Sequence, residues 1–142
     1  MDPHIANDAA AVEFLHSGKV LPSTLPFSEA VRVGDLVFLS GQLGIVPATL
    51  KLVDGGIREE ARQTMENIRT ILEAHGYAMT DIVKCTVMLA DMSEWNDFNE
   101  VYRTFFGDRF PARSAFGTSG LAIGARCEVE CIVAAMRPRA GR

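Results

Sequence analysis

Residues 57–89 read IREEARQTMENIRTILEAHGYAMTDIVKCTVML, and the fold follows from the change of period inside this stretch. Ile57, Ala61, Met65, Ile68, Leu72 and His75 recur at spacings of four, four, three, four and three. That is one apolar stripe on a 3.6-residue period. Arg58, Glu59, Arg62, Glu66 and Arg69 lie on the wet side, and Gly76 is placed to end the helix. From Ile82 the period drops to two. Val83, Cys85, Val87 and Leu89 point one way and Lys84, Thr86 and Met88 the other, a half-buried strand.

The same two patterns recur downstream. Trp95, Phe98, Tyr102 and Phe105 form the stripe of a second helix, ended by Gly107. Asp91 or Ser93 is its expected cap, and Glu94 lies three residues after Asp91, as a capping box requires. Pro111 separates this helix from two closing strands, about 113–118 and 126–134. In the second, Cys127, Val129, Cys131 and Val133 share one face while Arg126, Glu128 and Glu130 share the other.

Upstream, Ala30–Val33 and Leu36–Ser40 are β-prone runs around Gly34-Asp35, a dipeptide suited to a two-residue hairpin turn. Residues 44–56 read as loop, with a short strand around Leu50–Val53. Residues 1–26 read as an extended arm, with a short helical turn over Ala9–Leu15 and breakers at Gly18, Pro22 and Pro26. The domain proper is expected over 27–136, followed by a basic tail at 137–142. The order is strand, strand, helix, strand, helix, strand, strand. Its economical solution is an α+β fold, a single mixed sheet with two helices packed on one face. The other face is then wet or covered by another subunit, and Met88 in an otherwise polar row favours cover.

A chain of 142 residues with 48% hydrophobic and 23% charged side chains fits one globular domain. A net charge of -4 and scattered Lys and Arg speak against nucleic acid as a partner. No basic stretch leads a long apolar core near Met1, and no apolar run reaches membrane-spanning length. Three cysteines, Cys85, Cys127 and Cys131, form no paired disulfide framework. The expectation is reduced thiols in the cytoplasm and no membrane association.

Motifs for dinucleotide or phosphate binding and the nucleophile elbow are missing. His4, His16 and His75 lack metal-ligand spacing, so no metal site is expected. His75 reads as a helix-end residue, and Cys127 and Cys131 as small core hydrophobes. Arg113, beside Pro111-Ala112, needs an anionic partner or solvent, and its planar fork suits a carboxylate. The same arginine also suits a structural salt bridge to Glu128 or Glu130. Glu128 faces away from the cysteines and in a cleft would position or deprotonate water. On an open strand face it is simply solvated. Asn99 reads as a surface polar group.

Several separated motifs agree in order and spacing with a known family. Pro26-Phe27-Ser28-Glu29-Ala30-Val31, Gly34 through Gln42, Glu66-Asn67-Ile68, Asp81 through Val87, Asn99-Glu100-Val101-Tyr102, Phe105-Phe106, Pro111-Ala112-Arg113-Ser114 and Glu128-Val129-Glu130 resemble RidA/YjgF proteins, from about residue 26 to 135. The resemblance implies a chorismate-mutase-like fold, homotrimers with clefts between subunits, and hydrolysis of enamines and imines such as 2-aminoacrylate without cofactor or metal. It implies catalytic roles for Arg113, as carboxylate clamp, and Glu128, as holder of water. Phe27, Ser40, Gly41, Asn99 and Ala115 become substrate-binding positions. Phe27 stands where a tyrosine is usual, Ala115 where many members have cysteine, and Ala122 where a proline is usual. A module that only binds 2-keto acids is the alternative reading. A ribonuclease or translation inhibitor is disfavoured by the acidic balance, and nothing specific points to a holdase.

Overall fold

The computed structural model describes residues 11–135. Six strands form one sheet in the order β1-β2-β3-β6-β4-β5: β1 (Val12–Leu15), β2 (Ala30–Val33), β3 (Leu36–Leu39), β4 (Ile82–Leu89), β5 (Ala112–Gly117) and β6 (Cys127–Ala134). Only β4 and β5 run parallel, so the sheet is mixed. Helices α1 (Gly56–Ala74) and α2 (Trp95–Tyr102) cover one face, as expected. Their buried stripes, among them Ala61, Met65, Ile68, Leu72 and Phe98, meet Cys85, Val87, Leu89, Cys127, Val129 and Val133 in one core. Burying each large aliphatic side chain contributes roughly 1.5–3 kcal/mol, so this core is the main source of stability.

The hairpin forms as read: Val33 pairs with Leu36, and Gly34 takes a φ of 58° at the turn. Four local readings are corrected. Residues 12–15 are strand, not helical turn. They pair with β2, and Val20 is fully buried. The arm is therefore part of the domain from at least Val12. A four-residue strand carries too little periodicity to announce itself and stands only through its ladder. In β4 a register irregularity between Ile82 and Lys84 turns Val83 outward and buries Ile82 in its place. At α2, Asp91 accepts the Ser93 N–H at 2.9 Å, but Glu94 closes no capping box. Its carboxylate binds Arg126 Nη1 at 3.0 Å instead. The strand expected near Leu50–Val53 is a single bridge, Ile45 to Leu52. The basic tail and residues 1–10 lie outside the described residues.

Buried polar groups pin the connections. Asn67 on α1 donates through Nδ2 to the carbonyls of Leu43 and Ile45, at 3.0 Å each. Glu60 accepts the Arg126 N–H at 2.8 Å, tying α1 to the entry of β6. Glu29, at the entry of β2, pairs with His75 Nε2 at 2.7 Å and accepts the Ser17 hydroxyl at 2.8 Å. His75 is the C-cap of α1, so its helix-end position holds, with the buried contact to Glu29 added.

Candidate functional site

The residues singled out by sequence fall into two groups on opposite faces of the sheet. Arg113 pairs in register with Cys85, whose side chain is buried beneath the helices, so Arg113 lies on the helix-covered face. Ala115, two residues along edge strand β5, shares that face and packs against the core. The Arg113 guanidinium carbon sits 4.7 Å from the Tyr102 ring centre and 5.1 Å from that of Trp95. Trp95, Asn99 and Tyr102 are spaced i, i+4 and i+7, one face of α2. Asn99 is thus aligned with the arginine's two aromatic supports. Its Oδ1 is buried with no hydrogen-bond partner among the described residues, which corrects the surface reading. Among the described residues Arg113 makes no ion pair, and the structural salt bridge to Glu128 or Glu130 is absent.

Glu128, Gly41, Ser40 and Phe27 form the second group. Gln42 exchanges N–H···O bonds with Val129 at 2.8 and 3.1 Å, which lays Ser40-Gly41 alongside Glu128. A Cβ on Gly41 would fall on the Glu128 carboxyl, 2.8 Å from Cδ and 3.1 Å from Cγ. Only glycine leaves that carboxylate where it is. Ser40 donates its hydroxyl to the Ser28 carbonyl at 2.6 Å and its N–H to the Glu29 carbonyl at 3.0 Å. These two bonds fix the backbone beside Phe27, whose ring is 46% exposed. The Ser40 proton is committed, so this oxygen is left to accept from a ligand. Burial, and after it the neighbouring Glu130 charge, raises the Glu128 pKa above the usual carboxylate range.

Gly41→Ala is expected to leave the fold intact, because the flexible end of Glu128 can yield. It displaces that carboxylate, and any turnover that depends on Glu128 should fall by about tenfold or more. Circular dichroism beside steady-state rates separates the two effects.

Two participants escaped the sequence reading. Trp95 and Tyr102 were assigned to the apolar stripe of the second helix, which they satisfy, and their second use under Arg113 depends on the register of β5. The signal available in sequence was Asn99, a polar residue inside that stripe. Cys127 is the core hydrophobe expected, its thiol pushed up to about 12 chiefly by burial. Among the described residues no group of three or more His, Cys, Asp or Glu is placed to hold a metal ion, and no helix is long and apolar enough to cross a membrane.

The model of the family described as Endoribonuclease L-PSP matches residues 18–135. The human protein named 2-iminobutanoate/2-iminopropanoate deaminase is 43% identical over 107 residues, 75% of this chain and 78% of its own length. The chain belongs to the RidA/YjgF family. The Bos taurus protein of the same name is 46% identical over the same shares. Among solved structures of the family's fold, RidA from the Antarctic bacterium Psychrobacter superposes with a TM-score of 0.81 at 36% identity, covering 87% of this chain and 99% of that one. TdcF from E. coli, solved with bound serine, gives 0.80 at 28% identity, covering 87% and 98%. Membership accounts for the agreement of the separated motifs in order and spacing.

Proposed function

We propose that the protein hydrolyses small 2-imino and enamine acids, such as 2-aminoacrylate, to 2-keto acids and ammonia. The observation that carries this reading is Arg113: a partly buried guanidinium laid against two aromatic rings, with no carboxylate among the described residues paired to it. Such a cation is prepared for a ligand carboxylate, which its planar fork takes in bidentate fashion. The deaminase names of relatives at 43–46% identity support the same chemistry.

Arg113 holds the carboxylate and thereby fixes the imine carbon. The N–H of Ala115, the Asn99 side chain and the Ser40-Gly41 backbone bind the polar end, and Phe27 lines the apolar side. Glu128 holds the attacking water and moves its proton as the C–O bond forms. The protonated imine is already electrophilic. Collapse of the tetrahedral adduct breaks the C–N bond, releasing ammonia and the keto acid. No covalent nucleophile, cofactor or metal takes part in the reaction as proposed.

The two residue groups lie on opposite faces of the sheet, so one chain does not assemble the site. We therefore assign the Arg113 wall to one copy and the Glu128 wall to another, in a homotrimer with clefts between subunits. The uncovered face supplies the apolar surface for this. Phe14, Val31, Phe38 and Ile132 form one cross-strand row, and Phe116, Met88 and Glu128 another. Phe14 is 70% exposed in the single chain, and Phe38 and Phe116 are 41% and 47% exposed. Three free, buried thiols suit a reducing, cytoplasmic setting.

The deciding experiment measures keto-acid release from freshly generated 2-aminoacrylate, with semicarbazide as competitor. Acceleration supports the deaminase. No acceleration across several imino acids, with keto-acid binding retained, leaves a carboxylate-binding module.

The pH profile carries a second expectation. Glu128 works as the carboxylate, so activity falls as pH drops through its raised pKa, and the acid limb lies above that of an ordinary glutamate. Glu130→Gln removes the repelling charge and should move this limb to lower pH. For stability the sign is reversed. A folded-state pKa above the unfolded one means that ionising Glu128 costs stability as pH rises through it. Glu128→Gln should abolish turnover while leaving the protein no less stable at pH 7, read from kcat and from the urea midpoint.

A further inference from the structure

We infer that Cys85 and Cys131 form a reversible oxidative modification site beneath Arg113, closing to a disulfide when a small hydroperoxide reaches them. The two residues are directly opposed in the register of β4 and β6, and their sulfurs lie 3.5 Å apart. Both are free and buried. Cys85 is also the register partner of Arg113 on β5, and its thiol borders the buried Tyr102 hydroxyl, which has no oxygen or nitrogen partner. The dithiol is thus one side-chain layer below the guanidinium and its aromatic support. Cys127 faces Leu89 in the same ladder, four strand positions from Cys85, roughly 13 Å away. Only Cys131 is within reach of Cys85.

The geometry also assigns the order of events. The hydrogen bond from Cys131, and after it Tyr102 and the Arg113 charge, hold the Cys85 thiol below its usual range despite burial. The bond to Cys85 and burial hold Cys131 above it. Cys85 is the member of the pair that lies beside Arg113 in the strand register, and it takes the role of nucleophile. Its sulfur attacks the peroxide: an S–O bond forms, the O–O bond breaks, and the departing oxygen takes a proton, leaving as alcohol or, from hydrogen peroxide, as water. The Cys131 sulfur then displaces hydroxide from the Cys85 sulfenic acid. The S–S bond forms, the S–O bond breaks, and the Cys131 proton leaves with the hydroxide as water. The two thiols lose two electrons and two protons, and the peroxide gains both. Burial excludes bulky disulfide donors, leaving small hydroperoxides as the oxidant class. Closing the sulfurs from 3.5 Å to about 2 Å draws Cys85 from beneath Tyr102 and Arg113. The oxidised protein should therefore hold a carboxylate more weakly. The bond itself stands apart from the deaminase reading, while its effect on keto-acid binding rests on that reading.

The native protein is treated with hydrogen peroxide, alkylated, and digested with trypsin without reduction. The expected product joins peptide Cys85–Arg103 to peptide Cys127–Arg139, since trypsin does not cut the Arg137-Pro138 bond, and is lighter by two hydrogens than the sum of the two. It persists in Cys127→Ala, is absent from Cys131→Ala, and disappears on dithiothreitol treatment. Pyruvate affinity, followed through the fluorescence of Trp95, is expected to drop severalfold on oxidation and to recover on reduction. Absence of the linked peptide, irreversible oxygen addition to Cys85, or linkage through Cys127 would overturn the site. A linked peptide with unchanged pyruvate affinity would overturn its coupling to Arg113. Failure of wild-type turnover with the linked peptide present would count against the deaminase reading alone.

Discussion

Arg113→Ala is expected to lower kcat/KM on a 2-imino acid by about a hundredfold. A charge-assisted hydrogen bond contributes roughly 1.5–3 kcal/mol, and each 1.4 kcal/mol is tenfold, so losing the fork removes about two decades. Arg113→Lys keeps the charge without the planar pair of donors, and only part of the loss should return. Stability should change little by comparison, because the arginine forms no ion pair among the described residues and its ring contacts contribute about 1 kcal/mol. Steady-state kinetics on both variants, with urea unfolding as control, reads the distinction. Unchanged kcat/KM in both would remove Arg113 from the substrate.

His75→Ala is expected to destabilise the protein by about 3 kcal/mol, the cost of leaving one member of a buried ion pair uncompensated. The Glu29 side chain is 5% exposed and His75 13%. The two substitutions are not equivalent. Removing His75 strands a buried carboxylate that keeps only the Ser17 hydroxyl, whereas Glu29→Gln leaves a neutral amide that can still hydrogen-bond the imidazole. Glu29→Gln should therefore cost clearly less, and Glu29→Gln/His75→Ala should be more stable than His75→Ala alone. A double-mutant cycle on urea midpoints at pH 7 measures the coupling. Equal costs for both single substitutions would show that packing, not charge, dominates the site. The pair joins the end of α1 to the entry of β2, next to Phe27 and Ser28, so these variants should also disturb the Ser40-Gly41 backbone.

Local periodicity was sufficient for α1, β6 and the β2–β3 hairpin, since each pattern needs only its own residues to be read. The same holds for most of β4, except Val83. A bulge is a property of two paired strands, and a single strand's alternation cannot register it. Strand β1 illustrates the same limit at its extreme. Val12–Leu15 is only four residues long and does not alternate cleanly, and only the ladder to β2 makes it a strand.

The site divides in the same way. Residue type alone marked Arg113 as a cation in need of an anion and Glu128 as a carboxylate facing away from the cysteines. The motifs together pointed to the family. What tertiary structure decided was which face and which neighbour. The parallel register of β5 on β4 puts Arg113 with Cys85, on the face opposite Glu128, and lays it over Trp95 and Tyr102. The return of Gln42 along β6 sets Gly41 against Glu128. Sequence determines what each side chain is able to do, because ionisation and hydrogen-bonding capacity are local. Pairing across the sheet determines what it does it to, because register is fixed by burial of the whole face and by no single residue.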